Sequence, residues 1–181
     1  MFNPNIDQNL QYNDISDTEI SNDEKKLSNP QYIGILDFEA SCDDEVKFYD
    51  NEIIEFPTVL LKLNDTGTYE IVSEFQKYCK PLIKPKLTKF CTDLTGITQE
   101  QVNDGINFPE ALKEHHKWIT SYVNYDEKII LMTVGNWDLA TMMPQECKKW
   151  NLVSPAIYHS FVNINMVFSD FYKVRSGGMK R

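Results

Sequence analysis

The alternation of apolar and polar residues changes character near residue 30. Through Pro30 the chain is rich in Asn, Asp, Ser and Gln, has no hydrophobic period and sets six acids against two lysines. A segment of that composition buries too little apolar surface to order itself, so residues 1–30 are expected to form a solvated acidic tail. Ile33-Gly34-Ile35-Leu36 then opens the folded part as a short apolar run, the pattern of a strand buried on both faces. Glu52–Leu63 reads as a second strand in which Pro57 marks a bulge or a sheet edge. Asn64-Asp65-Thr66-Gly67 is a turn, and Tyr69–Tyr78 is a third strand. Three consecutive strands are most simply an antiparallel meander.

The period then becomes helical. Thr88–Leu94 predicts a short helix stopped by Gly96, and Thr98 caps another. Phe108-Pro109-Glu110 opens a longer helix to about Val123. Ile129–Val134 is a compact apolar run, and a strand arriving after a helix predicts a parallel addition to the sheet. A helix over about Ala140–Trp150, a short fifth strand at Phe161–Ile164, a helix at Met166–Tyr172 and a loop at Ser176–Gly178 complete the pattern. No repeat or Gly/Pro linker interrupts it, so residues 31–181 are expected to form one domain.

Composition narrows the class. The 181 residues are 41% hydrophobic, enough for one domain with a real core. No apolar run reaches the length of a membrane span, and Met1-Phe2-Asn3-Pro4 does not begin a signal peptide. Cys42, Cys79, Cys91 and Cys147 are scattered, which predicts reduced thiols in an intracellular protein of cytoplasm or nucleus rather than a disulfide frame or a zinc site. A formal charge of −9 argues against coating nucleic acid by bulk electrostatics. It is compatible with an enzyme that grips a single chain end through a metal and a few local contacts.

The candidate chemistry lies where the first apolar run ends. In a strand, residues two apart share a face, so Asp37 and Glu39 would project side by side. Two such carboxylates repel unless a cation lies between them or one is protonated, and hard oxygen donors suit Mg²⁺ or Mn²⁺. The plainer reading is a strand running out into solvent. A third acid, Asp138, follows a strand expected to lie beside the first, and open α/β sheets gather ligands at strand ends. The three acids could therefore converge on a point suited to phosphoryl chemistry. By itself Asp138 would read as a helix cap, and Trp137 as a core residue.

The strings IGILDFEASC, EIIEFPTVLLKL, FCTDLTGITQEQV, TVGNWDL and NINMVFSDFYKV, in that order, resemble the DEDDh (DnaQ-like) 3′–5′ exonucleases. The branch they look most like holds the three-prime histone mRNA exonuclease and its relatives in small-RNA turnover, and the likeness runs from about Tyr32 to Val174. It implies an α/β, ribonuclease-H-like fold: a mixed five-stranded sheet flanked by helices. It implies two Mg²⁺ or Mn²⁺ ions and stepwise hydrolysis of RNA, or of DNA, from single-stranded 3′ ends. By the resemblance, Asp37 matches the acid bridging both metals, and Glu39 the acid that binds the water-activating metal and meets the 3′ hydroxyl. Asp138 matches the acid holding the second metal; Phe38 and Ala40 match positions lining the last nucleotide's pocket, and Trp137 the aromatic beside it.

The family's third motif, a His and then an Asp on a last helix, has no counterpart here, so the domain is expected to lack its final helix. His115, His116 and His159 stand outside that motif and read as surface or structural residues. Two readings remain open: an exonuclease, inactive or weakly active in this form, and a non-catalytic relative that binds nucleic-acid ends or a protein. A bare sheet face is expected to make the chain aggregation-prone or partly molten.

Overall fold

The computed structural model describes residues 29–46, 50–124 and 127–175. Most of the expected acidic tail and the loop at Ser176–Gly178 lie outside them. The chain folds as a mixed sheet of six strands with helices: β1 (Tyr32–Leu36), β2 (Glu39–Ala40), β3 (Ile53–Leu63), β4 (Tyr69–Tyr78), β5 (Ile129–Thr133) and β6 (Phe161–Asn163). Their spatial order is β2-β3-β1-β5-β6, with β4 paired to β3 from Glu55 to Leu63. The expected meander is present: β3 runs antiparallel to both β1 and β4. The Asn64 side chain accepts from the Thr66 and Thr68 N–H groups, closing the hairpin turn.

The first strand departs from expectation in two ways. It stops at Leu36, and Glu39–Ala40 resumes as a separate strand on β3, which is why six strands appear instead of five. Across this break Leu36 pairs with Thr58 and Glu39 with Glu55, so Pro57 lies opposite the gap. Pro57 marks neither a bulge nor an edge; it occupies the place in an interior strand where β1 has ended. Nor is the strand buried on both faces. Tyr32, Gly34 and Leu36 are buried, while Ile33 is half-buried and Ile35 is 38% exposed.

The helices follow their local signals. α1 (Lys89–Thr95) starts at a Thr88 cap and ends where Gly96 turns left-handed at φ 76°. α2 (Gln99–Asn103) has a reciprocal Thr98–Gln101 capping box. α3 (Phe108–Tyr122) starts from an Asn107 cap and lays Phe108, Ala111, Leu112, His115 and Ile119 inward. An added Cβ on Gly34 would come within 2.7 Å of Leu131 on the neighbouring strand, so the missing side chain makes room for Leu131, while Ile119 of α3 packs over the same position at an ordinary contact distance of 3.9 Å.

His115 anchors that contact. It is fully buried, stacked on Phe56 with ring centroids 4.4 Å apart. Its Nδ1 lies 2.6 Å from the Tyr158 hydroxyl and its Nε2 2.9 Å from the Thr58 hydroxyl. Burial, with a smaller contribution from the neighbouring His116 charge, pushes its pKa down to about 3. This is a neutral core histidine with both nitrogens committed, in keeping with the structural role expected of it.

β5 (Ile129–Thr133) adds parallel to β1, and β6 (Phe161–Asn163) parallel to β5. Between them runs a helix that begins at Asp138, earlier than expected, with a π turn over Asp138–Met142 leading into α4 (Met143–Lys149). α5 (Ile164–Tyr172) closes the described chain. All four cysteines are free. Among the described residues no helix is long and apolar enough to cross a membrane.

Candidate active site

Because β1 and β5 are parallel, their C-terminal ends arrive at the same side of the sheet, and the segments leaving the two strands meet there. After β5 the chain turns sharply. Gly135 takes φ 103°, a conformation costly to any residue with a Cβ. The Asn163 side chain at the end of β6 holds this turn, accepting from the Gly135 N–H at 3.2 Å and donating to the Asn136 side chain at 2.9 Å. Trp137 comes next, just ahead of the π turn that Asp138 opens. Wide turns of this kind recur at functional sites in helices.

Asp138 is 3% exposed, and its Oδ1 accepts the Phe38 backbone N–H at 2.8 Å. This bond, spanning a hundred residues of sequence, fixes the second motif to the first in the break between β1 and β2. Asp138 is therefore no helix cap: its carboxylate faces the backbone of the break between β1 and β2. Burial pushes its pKa up to about 6; the Phe38 hydrogen bond opposes that shift, and the Asp37 charge adds to it. Asp37 precedes Phe38 in the chain, so the bond that fixes Asp138 also sets it near Asp37.

Asp37 is exposed at the end of β1, and Glu39 is half-buried on β2. The three acids share one end of the sheet, yet among the described residues no group of three or more His, Cys, Asp or Glu side chains converges in ligating geometry. Full convergence on one point is thus not what the structure shows. Three like charges repel, and the Phe38 N–H restrains Asp138 on one side. The donor chemistry still fits a hard divalent cation: carboxylate oxygens only, with Asp37 and Asp138 adjacent.

Phe38 and Ala40 are 4% and 8% exposed and belong to the main core. The Phe38 ring meets Phe56 edge-on, with centroids 4.7 Å apart. Their side chains thus pack inward, and what Phe38 turns toward the site is its backbone N–H. Trp137 is 43% exposed, so simple core packing does not describe it. It stands at the mouth of a cleft of about 690 Å³ lined further by Asp50, Asn51, Thr141, Gln145, Lys148 and Lys149. Sequence reasoning did not single out these neighbours. Their signal was the spacing of Trp137, Thr141, Gln145 and Lys148, which places them on one helical face.

The exonuclease family model, RNase T, matches residues 35–176, and the chain belongs to that family. It is 40% identical over 146 residues to mouse 3′-5′ exoribonuclease 1, covering 79% of this chain and 41% of that protein. The chain therefore spans about two fifths of that relative's length. The nuclease domain of 3′hExo, a DEDDh family member solved with rAMP, superposes with a TM-score of 0.75 at 38% identity. The match covers 81% of this chain and 73% of that one. A 3′-exonuclease solved in recognition of a histone mRNA stem-loop gives a TM-score of 0.75 at 37% identity, covering 81% and 65%. The ribonuclease-H-like α/β fold expected from the motifs is thus the fold of these relatives.

Proposed function

We propose that this domain is a 3′-to-5′ exonuclease that removes nucleotides from RNA ends, with Asp37, Glu39 and Asp138 as its acidic set. The observation that carries it is the Asp138–Phe38 bond, which holds a buried carboxylate beside Asp37 at the joint between two strands. A module that only bound a polyanion would gain nothing from three acids at its binding point. The relatives support the substrate class: one was solved with rAMP and another with a histone mRNA stem-loop.

The acids would hold Mg²⁺ or Mn²⁺, two ions in the complete site. Ions so held would supply stabilisation of the attacking and leaving oxygens of the scissile phosphate. Asp37 is exposed just past its strand end, while Asp138 is fixed from behind by the Phe38 N–H. Trp137 presents an aromatic face on which a terminal base can stack without its identity being read. His115, stacked in the core with both nitrogens engaged, does not serve as the general base.

The test is a 5′-labelled single-stranded RNA with a free 3′ hydroxyl, incubated with Mg²⁺ or Mn²⁺. Shortening from the 3′ end, abolished by chelator and by Asp37→Asn, is the expected outcome. Shortening from the 5′ end, or indifference to chelator, would overturn the reading. Retention of the RNA without cleavage would favour the non-catalytic end-binding alternative. A DNA strand of the same sequence, run in parallel, decides the sugar preference.

A further inference from the structure

The cleft beside Trp137 extends along α4. Trp137, Thr141, Gln145 and Lys148 succeed one another at helical spacing along the π turn and α4. At ordinary helical rise they span ~16 Å. Trp137, Gln145 and Lys148 are exposed and Thr141 is half-buried, so the stripe presents an aromatic face, two neutral hydrogen-bonding groups and then a cation.

The opposite wall is Asp50 and Asn51, and it is braced from below. Lys149 pairs with Asp50 at 2.9 Å, donates to the Asn51 carbonyl, and approaches the buried Glu146 at 3.8 Å. Lys149 is thereby committed to holding the wall and neutralising it. Lys148 makes no ion pair among the described residues and is exposed, so it is the cation the cleft offers to a ligand. In a chain of net charge −9, a surface of this polarity next to three acids marks where a polyanion can approach.

Resting on the exonuclease reading, we infer that the stripe beyond Trp137 seats the RNA strand upstream of the terminal nucleotide, with Lys148 on a backbone phosphate and Gln145 and Thr141 bonding the intervening sugar-phosphate. The site is a positioning surface for single strands. Stacking on Trp137 and contact with one phosphate need neither base pairing nor a particular sequence.

The experiment measures binding of two probes to the full 181-residue chain in Ca²⁺, which fills oxygen sites but is a poor activator of water: AMP, and a fluorescent single-stranded RNA decamer. Lys148→Ala and Gln145→Ala alter exposed side chains, and thermal unfolding checks that each variant folds. Lys148→Ala is expected to weaken decamer binding about fivefold to tenfold and to lower the salt-dependence slope by ~0.7, the share of one phosphate contact on a single strand. Gln145→Ala is expected to weaken it about threefold, as loss of one neutral hydrogen bond does. AMP affinity should not change, and Lys117→Ala, on the exposed face of α3, should alter neither probe. Wild-type decamer affinity in both cleft variants would overturn the inference and leave the exonuclease reading standing. Equal losses for AMP and decamer would also overturn it, by placing the residues at the terminal nucleotide. Failure of the wild type to bind either probe would overturn both.

Discussion

Asp138 and His115 are both buried titratable residues, and their surroundings put them to opposite uses. Asp138→Asn keeps an oxygen to accept the Phe38 N–H and removes the charge. It is expected to hold the fold to within ~1 kcal/mol while lowering nuclease activity by several orders of magnitude. Unfolding and rate measurements on one sample separate these effects, and comparable losses of both would make Asp138 a structural acid. Asp37→Ala is expected to diminish the heat of Mn²⁺ binding in calorimetric titration; equal weak heats with the wild type would remove Asp37 from the metal site. For His115 the folded pKa of about 3 lies below the ordinary value of 6.5. The unfolded chain therefore takes up the proton first, and the His115 contribution is complete above 6.5 and is lost as pH falls toward 3. The raised carboxyls of Asp138 and Glu146 act in the opposite sense, so the informative quantity is the difference between wild type and His115→Gln. Between pH 7 and pH 5 the wild type should lose ~2 kcal/mol more than the variant in urea unfolding. Parallel pH curves would show that His115 is not held neutral.

At the scale of elements, the two faces of β1 should answer differently to the same change. Leu36 is 1% exposed and packs in the main core under α3, whereas Ile35 is 38% exposed. Leu36→Ala is expected to cost ~2–5 kcal/mol, and Ile35→Ala less than ~1 kcal/mol, because its side chain is already largely wet. Denaturant midpoints at constant slope decide this; equal costs would mean that the exposed face is covered in solution. The break after Leu36 also has a use. Had β1 continued unbroken into β2, the Phe38 N–H could have been consumed by the β3 ladder, whereas here it is given to Asp138.

At the scale of the molecule, the register aligns a whole face of the sheet that is only partly covered. Ile33 pairs with Leu61 and Ile130, Ile35 with Val59 and Met132, and Met132 with Val162; all are half-buried or exposed. On α5, Met166, Val167, Phe168, Phe171 and Tyr172 are exposed as well. Contiguous apolar surface of this kind favours association. The 181-residue chain alone is therefore expected to bind a hydrophobic dye before it unfolds and to associate as its concentration rises. A sharp thermal transition with no prior dye binding, from a monomer, would show that this face is closed in solution.

Much of the fold was legible in local chemistry. Thr88, Gly96 and Thr98 act through neighbours a few residues away, so the limits of α1 and the start of α2 could be read directly, and Phe108-Pro109-Glu110 marked the start of α3. The hairpin and the parallel placement of β5 came from period and order in the same way. The acids Asp37, Glu39 and Asp138 could be singled out as candidates because their motifs are contiguous strings. Other features depend on contacts between residues far apart in the chain, and only the tertiary structure decided them. Pro57 reads as a bulge until the gap in β1 is seen opposite it. Asp138 reads as a cap until Phe38 is found at its carboxylate. The Phe38 ring packs on Phe56 in the core, so only its backbone N–H is given to Asp138, and nothing near it in the chain announces either contact. Among the described residues, the cation the cleft leaves uncommitted is Lys148, not Lys149, because Asp50, almost a hundred residues earlier, pairs with the second and not the first. Propensity and capping act over one turn of chain, while burial and charge pairing act over distance in space, which the order of residues does not state.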